Sequence, residues 1–215
     1  MTNEILKRTL SSIILLLLTF FCIIKGSYLF IILLIAIFFI SSLEWHNMSK
    51  QKSYYYIGFI YLFFSLFCVY KLRFDFTNDA SLFLLITIIC ILTDIGGFIF
   101  GKAFKGPKLT KYSPNKTYSG LFGSFFLSFS IIPINFFFNF LNDINLITLM
   151  IFTLIVSAIS QLGDIFISYF KRSSNIKDTG KIIPGHGGLL DRIDGMIFAF
   201  PITYLMILFN LFEIV

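Results

Sequence analysis

The sequence predicts an all-α, polytopic integral membrane protein with about seven transmembrane helices and a cytoplasmic N-terminus. Of its 215 residues, 57% are hydrophobic and only 13% are charged, which is about half the charged share of an ordinary soluble domain. The mean hydropathy is +0.89, and the apolar residues form runs that approach the roughly 20 residues a membrane-spanning helix needs. This composition excludes a soluble monomer and argues against a disordered or fibrous chain.

Apolar runs account for the predicted helices, taken in chain order. They cover residues 9–24, 28–43, 54–70, 81–100, 120–140, 146–170 and 195–214. The first run follows Lys7 and Arg8 but lacks a small-residue cleavage site, so we expect a retained anchor. The second and third runs are short, which leaves six spans with an interfacial helix as an alternative. Pro133 and Pro201 are expected to kink their helices without ending them.

The basic residues predict the orientation of the helices. With the N-terminus inside and the spans alternating, all 17 basic residues fall in cytoplasmic segments except Lys25, Lys71 and Arg73. This distribution obeys the positive-inside rule. The net charge of +6 suits nucleic acid, anionic lipid or nucleotide phosphate. Because the charges lie at the inner membrane face, we expect no nucleic-acid partner.

We expect a single membrane domain, with N-terminal helices in residues 1–80 and the catalytic region in residues 81–215. Nearly all Gly, Pro, Lys and Asp of the second half lie in two inner loops, residues 101–119 and 171–194. The outer loops are short and chemically plain. This one-sided distribution predicts a site that faces the cytoplasm. The three cysteines lie in separate apolar runs and are interpreted as small core residues.

The densest set of polar residues begins in the sixth apolar run and continues into the loop after it. The candidates for catalysis there are Asp164, Lys171, Arg172, Lys177, Asp178, His186, Asp191, Arg192 and Asp194. If the sixth helix continues through Lys171, it places Asp164, Ser168 and Lys171 on one face. A carboxylate inside an apolar helix is costly in lipid. Asp164 must therefore face a polar cavity, a cation or a partner, and the same argument applies to Asp94.

These residue types point to chemistry at phosphorus. Carboxylates without a Cys or His cluster suit hard cations such as Mg²⁺, and the interleaved lysines and arginines suit phosphates. Together they are typical of phosphoryl or nucleotidyl transfer. Gly185, Gly187 and Gly188 allow backbone N–H groups to approach an anion, although a tight turn before the last helix is the alternative. We interpret His186 as a hydrogen-bond donor to phosphate rather than a general base.

The loop of residues 101–119 offers a second candidate site. Ser113, Lys116 and Thr117 place two hydroxyls and an ammonium at turn spacing, which suits a triphosphate. A basic inner loop that only sets topology is an equal alternative. The nearby glycines resemble a Walker A sequence superficially, but Pro107 stands where that motif requires lysine.

The segment Ser168 to Asp194 resembles the signature of a known family, the bacterial phosphatidate cytidylyltransferases, also called CDP-diacylglycerol synthases. It matches S-x-x-K-R-x4-K-D-x5-P-G-H-G-G-x-x-D-R-x-D at every defined position. Residues 94–120, with Asp94, the glycines and the S-P-N-K-T turn, resemble a second block of that family. The chain differs at Ile167, Ser119 and Phe98, where members often carry Glu, Glu and Tyr.

The resemblance implies an enzyme of the bacterial plasma (inner) membrane that transfers CMP from CTP to phosphatidic acid and releases pyrophosphate. It also implies that Asp164 and Asp191 bind Mg²⁺, with a monovalent cation such as K⁺ as a further ion. Substrate-binding roles are expected for Asp94, Ser113, Lys116, Thr117, Ser168, Gly185, Gly187 and Gly188. We expect CTP, phosphatidic acid and the lipid bilayer as partners, with a homodimer as an open alternative to a monomer.

Two other interpretations remain at this point. Another CTP-using membrane enzyme, such as a polyprenol or dolichol kinase or a synthase of archaeal-type CDP-lipids, would also place charge at the inner face. The second alternative is a transporter, because buried acids in helices also mark ion pathways. A transporter is expected to distribute polar residues to both membrane faces, which this sequence does not do.

Overall fold

The protein is helical throughout the described part of the chain, as the composition predicts. The computed structural model describes residues 19–75, 80–138, 140–141, 144–180, 182 and 187–212. Residues 19–25 are helical, and Gly26 separates them from the next helix. The following helices are α1 Ser27–Ser49, α2 Tyr55–Phe74, α3 Ser81–Phe104, α4 Tyr118–Ser128, α5 Ile131–Phe138, α6 Leu146–Ser173, α7 Leu190–Ile193 and α8 Met196–Leu208. In these ranges the β-structure is an isolated antiparallel bridge between Lys108 and Thr117.

Five stretches of the described chain are long and apolar enough to cross a membrane. They are α1, α2, α3, the pair α4 and α5 taken together, and α6. α8 is apolar but has 13 residues, and most of the run predicted over 9–24 lies outside the described residues. Large apolar side chains point outward from these helices, for example Phe39 at 62% and Phe63 at 65% exposure. The all-α membrane fold is confirmed, and the count of seven spans and the side of the N-terminus stay predictions.

Several helices extend beyond the apolar runs that predicted them. α3 includes Gly101–Phe104 and α6 includes Lys171–Ser173, so the predicted inner loops are shorter than expected. The reason is that lysine and arginine are good helix formers whose stems continue an apolar face while their charges reach water. With 28 residues at 1.5 Å each, α6 is about 42 Å long. The helix includes Lys171, which meets the condition for placing Asp164, Ser168 and Lys171 on one face.

The contacts within the chain divide it into two compact units. The first contains residues 1–66 and 170–193, and the second contains residues 67–169 and 194–215.

The first unit joins the α1–α2 hairpin to the end of α6. The indole of Trp45 donates a hydrogen bond to the Tyr55 carbonyl at 2.9 Å and packs edge-on against Phe170, with ring centroids 5.3 Å apart. Lys52 donates to the Ser173 carbonyl at 2.9 Å. The loops that follow α1 and α6 therefore lie at the same end of this unit, as the alternating topology requires.

Small residues allow close helix packing in the second unit. A Cβ atom at Gly96 of α3 would lie 2.4 Å from the carbonyl oxygen of Gly123 in α4. Ser124 donates to the Thr93 carbonyl at 2.7 Å, and Thr93 donates to Ser157 of α6 at 2.8 Å. Close backbone approach with interhelical hydroxyl bonds is typical of helix association in membranes.

Candidate functional site

The carboxylate of Asp191 is the centre of a polar cluster in the first unit. Its Oδ1 accepts a hydrogen bond from Lys171 Nζ at 2.7 Å. Its Oδ2 accepts from the backbone N–H groups of Thr179 at 2.8 Å and Gly188 at 3.1 Å, and the Thr179 hydroxyl lies 3.1 Å away. The Asp191 side chain is only 9% exposed. The structure thus brings together three residues that the sequence predicted for this site.

The surroundings of Asp191 keep it ionised. Burial alone would raise the pKa of this carboxyl, but the hydrogen bond and charge of Lys171, together with the N–H groups of Thr179 and Gly188, outweigh burial and hold the pKa below its usual value. Hydrogen bonds and a cation favour the charged form of an acid. At neutral pH, Asp191 and Lys171 therefore form a shielded ion pair.

Glycines shape the turn that brings these N–H groups to Asp191. Gly187 has φ of 87°, a left-handed conformation that other residues rarely adopt. A Cβ atom at Gly188 would lie 2.1 Å from the Thr179 hydroxyl. Here the N–H of Gly188 donates to Asp191, so this glycine forms the tight turn before α7.

Glu44 is a functional candidate that the sequence analysis missed. It lies in α1, is 2% exposed, and accepts hydrogen bonds from the N–H groups of Leu189 and Leu190, both at 2.8 Å. Its Oε2 also accepts from the Thr179 hydroxyl at 2.9 Å. The signal was present: Glu44 is an acid next to a long apolar run, and the argument applied to Asp94 and Asp164 applies to it equally.

The second unit contains an ion pair between Lys116 and Asp164. Both side chains are about one-quarter exposed, at 27% and 26%. A turn places the lysine, because the N–H of Lys116 donates to the Ser113 carbonyl at 3.0 Å. Ser168 lies one helical turn beyond Asp164, with its hydroxyl 3.4 Å from the carboxylate. A residue of the predicted triphosphate loop and a predicted metal ligand thus lie together.

The family of the chain follows from a match over most of its length. The profile of the Cytidylyltransferase family matches residues 54–210. The chain belongs to this family. The match includes both inner loops that the sequence analysis singled out and every described helix from α2 onward.

The chain is similar to several curated relatives. It is 38% identical to the phosphatidate cytidylyltransferase of Rickettsia typhi over 94% of this chain and 91% of the relative. It is 40% identical to the enzyme of that name from Rickettsia conorii, over 95% and 91% of the two chains. A Staphylococcus aureus phosphatidate cytidylyltransferase is 37% identical over 71% of this chain and 56% of its own length.

The remaining predicted site residues differ in exposure and are divided between the two units. In the first unit, the exposed ones are Arg172, Lys177, Asp178 and Arg192. In the second unit, Asp94 is exposed on α3, Asp194 is buried and accepts from the N–H of Gly195 at 2.9 Å, and Thr117 caps α4 by accepting from the N–H of Gly120 at 3.1 Å. Gly185 and His186 lie outside the described residues.

The carboxylates offer oxygen ligands for a metal ion. Among the described residues, no three His, Cys, Asp or Glu side chains gather into a metal site of their own. Mg²⁺ commonly takes only one or two carboxylates and completes its shell with water and substrate phosphates. Asp191 accepts from two backbone N–H groups at Oδ2 and from Lys171 at Oδ1, so an ion at Oδ1 would compete with the Lys171 ammonium. Asp164 is the more exposed of the two acids. The carboxylate oxygens of Asp164 and Asp191 are suitable ligands for Mg²⁺, and the binding of Mg²⁺ stays a prediction.

Proposed function

We propose that this chain transfers CMP from CTP to phosphatidic acid, forming CDP-diacylglycerol and pyrophosphate. The observation that carries the proposal is the similarity to phosphatidate cytidylyltransferases at 38% to 40% identity over at least 94% of the chain. The same observation favours this reaction over a lipid kinase or a transporter. In the reaction, a phosphate oxygen of phosphatidate bonds to the α-phosphorus of CTP, and the bond from that phosphorus to the bridging oxygen of the β-phosphate breaks.

The first unit supplies fixed positive charge for this reaction. Both substrates are anions, so catalysis depends on neutralising charge and on holding the reacting phosphates in line. Lys171 is held against Asp191 at 2.7 Å and is only 12% exposed, so its ammonium has a defined position. Arg172 and Lys177 follow Lys171 closely in the sequence, and their side chains are exposed. We assign Lys171 to the transferring phosphate and the two exposed cations to the pyrophosphate that leaves.

The loop between α3 and α4 provides a basic entrance for the nucleotide. The exposed lysines are Lys105, Lys108 and Lys111 in this loop and Lys102 in the last turn of α3. Such a concentration of one charge raises the local concentration of an anionic substrate. Lys116 and Ser113, joined by a backbone turn, are assigned to the triphosphate. Asp94, Thr117, Ser168 and the glycines at 185, 187 and 188 keep the substrate-binding roles that the resemblance implies.

Magnesium is the cofactor that this proposal includes. Asp164 and Asp191 are each assigned as a ligand, and K⁺ is retained as a second cation. When bound, Mg²⁺ would neutralise phosphate charge and stabilise the departing pyrophosphate. The acids contribute by holding Lys116 and Lys171 in place when no ion is bound.

The proposal places the site at the cytoplasmic face of the bacterial inner membrane. The basic residues support this orientation through the positive-inside rule. CTP is water-soluble, whereas the acyl chains of phosphatidate need not leave the bilayer. The homodimer stays a prediction, which the mass of the protein in lipid nanodiscs tests.

The decisive experiment measures which phosphorus of CTP is transferred to lipid by the purified protein in lipid nanodiscs. Phosphatidate, diacylglycerol and a polyprenol are supplied separately, with CTP labelled at either the α- or the γ-phosphorus. We expect the α-label to appear in lipid only with phosphatidate, with one pyrophosphate released for each lipid formed. Transfer of the γ-label to an alcohol would instead identify a lipid kinase and overturn the proposal. Asp191→Asn serves as the inactive comparison.

A further inference from the structure

We propose that Glu44 is a positioning residue for cytidylyl transfer, because its carboxylate binds the two ends of the segment from Thr179 to Leu190, next to Asp191. This inference rests on the proposed function for its catalytic meaning. Its structural half, that Glu44 holds this segment, is independent of the reaction.

The carboxylate of Glu44 binds the segment through both of its oxygens. Oε1 accepts from the N–H of Leu189 and Oε2 from the N–H of Leu190, each at 2.8 Å. These two N–H groups lie at the start of α7, where helical backbone donors have no partner within the helix. An acidic side chain that accepts from such donors satisfies them.

Thr179 connects Glu44 to Asp191. Its hydroxyl oxygen lies 2.9 Å from Glu44 Oε2 and 3.1 Å from Asp191 Oδ2, and its N–H donates to the same Asp191 oxygen at 2.8 Å. A hydroxyl has one proton, so it donates to one carboxylate at a time. Thr179 therefore lies between the two acids, and a shift of Glu44 would be transmitted to Asp191 and its partner Lys171.

Two glycines leave room for the carboxylate of Glu44. A Cβ atom at Gly180 would lie 2.6 Å from Glu44 Oε1, and one at Gly188 would lie 2.6 Å from Oε2. Glu44 is 2% exposed as a result. Burial of a carboxylate is tolerated only when its oxygens are satisfied by donors, and here three donors satisfy them.

A carboxylate is required at this position for a simple reason of hydrogen bonding. Each of its oxygens faces a donor, and an ionised carboxylate only accepts. Glutamine has the same shape but carries an amide NH₂ in place of one oxygen. That NH₂ would face the N–H of Leu189 or Leu190, so one donor would lose its partner. Glu44→Gln is therefore a test of the acceptor pattern with little change in volume.

The test combines kinetics with hydrogen exchange in nanodiscs. We expect Glu44→Gln to lower kcat about 10- to 100-fold, the usual effect of losing a group that orients a catalytic residue. The KM for phosphatidate should stay near the wild-type value, because Glu44 touches no substrate. Exchange of the amides of Leu189 and Leu190 should become faster. Asp75→Asn is the matched control, since Asp75 is an exposed acid just after α2 that pairs with Lys71, and it should change none of these quantities.

A second pair of variants tests the connection through Thr179. Thr179→Ser keeps the hydroxyl and should retain activity, whereas Thr179→Val removes it and should lower kcat. If both residues act along one path, Glu44→Gln combined with Thr179→Val should lose less activity than the product of the two single losses. This comparison also stands if Glu44→Gln folds poorly, because the two Thr179 variants differ in a single group.

The outcomes separate the two proposals. Wild-type kcat or unchanged amide exchange in Glu44→Gln would overturn the positioning role, and so would losses that multiply in the double variant. If the wild-type protein transfers no CMP, the proposed function fails. The exchange measurement then still decides whether Glu44 holds the segment.

Discussion

Lys171 Nζ lies 2.7 Å from Asp191 Oδ1, in a pair whose side chains are 12% and 9% exposed. The pair joins the last turn of α6 to the start of α7. Exposed ion pairs contribute little to stability, whereas removal of one partner of a shielded pair leaves an uncompensated charge. The consequences of changing either residue should therefore be large.

Asp191→Asn and Lys171→Met are both expected to lower kcat by about 100-fold or more, as does the loss of a preorganised charge in other active sites. In the first variant, the new amide NH₂ would meet the donors that now face Asp191. In the second, the fixed ammonium is lost. Pyrophosphate release from CTP and phosphatidate measures both effects.

Lys50→Met is the control for the loss of a lysine. Lys50 is exposed just after α1 and is bonded to neither acid, so its variant should keep wild-type turnover. Activity within about twofold of wild type in folded Asp191→Asn would contradict a role for this carboxylate in the reaction.

The stability of the protein should depend on pH through Asp191 in a defined direction. Its pKa in the folded protein lies below the usual value, which is about 3.9 in an unfolded chain. The unfolded state therefore binds the proton more readily, and the stabilisation is complete above the unfolded pKa. It is lost as the pH falls through the folded pKa. Thermal unfolding between pH 7 and pH 3 measures this loss.

Asp191→Asn separates this carboxyl from the other acids in the pH series. The variant cannot titrate at this position, so the difference in Tm between wild type and variant should be constant from pH 7 to about pH 5. It should shrink at lower pH. A difference that grows on acidification would contradict a lowered pKa for Asp191.

The helices could be predicted from the sequence because they depend on local properties. Apolar runs predicted the positions of α1 to α3 and of α6. That α6 continues through Lys171 was left open by the sequence. The two inner loops contain many of the charged candidates, and their role in a site stays a prediction. The pairing of Lys171 with Asp191 was not predictable, because residues 20 positions apart meet only through the fold of the intervening loop.

Glu44 shows most clearly what the sequence alone could not show. It bonds to Thr179, which is 135 positions away, and no local pattern indicates that contact. Its presence beside an apolar run was visible, but its partner was not. In the same way, the pairing of Lys116 with Asp164 depends on the position of a loop relative to α6.

The packing of α3 against α4 gives a prediction about stability. Gly96→Ala would place a methyl group 2.4 Å from the backbone oxygen of Gly123, which cannot rotate away. We expect the free energy of unfolding to fall by about 1 to 3 kcal/mol, the typical cost of overpacking. Thermal unfolding in nanodiscs measures the change.

The neighbouring glycine provides the control for that experiment. A methyl group at Gly97 would meet the Ser124 hydroxyl at 2.8 Å, a side-chain atom that can turn aside. Gly97→Ala should therefore lower Tm less than Gly96→Ala. Alanine is the better helix former, so equal losses would mean that the Gly96–Gly123 contact does not determine the result.

Because Lys116 and Asp164 form an ion pair, substitutions of the two residues should change the affinity for a metal ion in opposite directions. If Asp164 is a metal ligand, an arriving ion must compete with the Lys116 ammonium for the carboxylate. Asp164→Asn should weaken the binding of Mn²⁺, used as a paramagnetic substitute for Mg²⁺, by about tenfold or more. Lys116→Met should strengthen Mn²⁺ binding in the absence of CTP, because the competing cation is gone, while the KM for CTP rises.

Electron paramagnetic resonance titration of purified protein measures Mn²⁺ binding in both variants, with Asp75→Asn as the control. Weaker binding in both variants would mean that Lys116 does not compete with the ion, and unchanged binding in Asp164→Asn would remove this residue from the metal site.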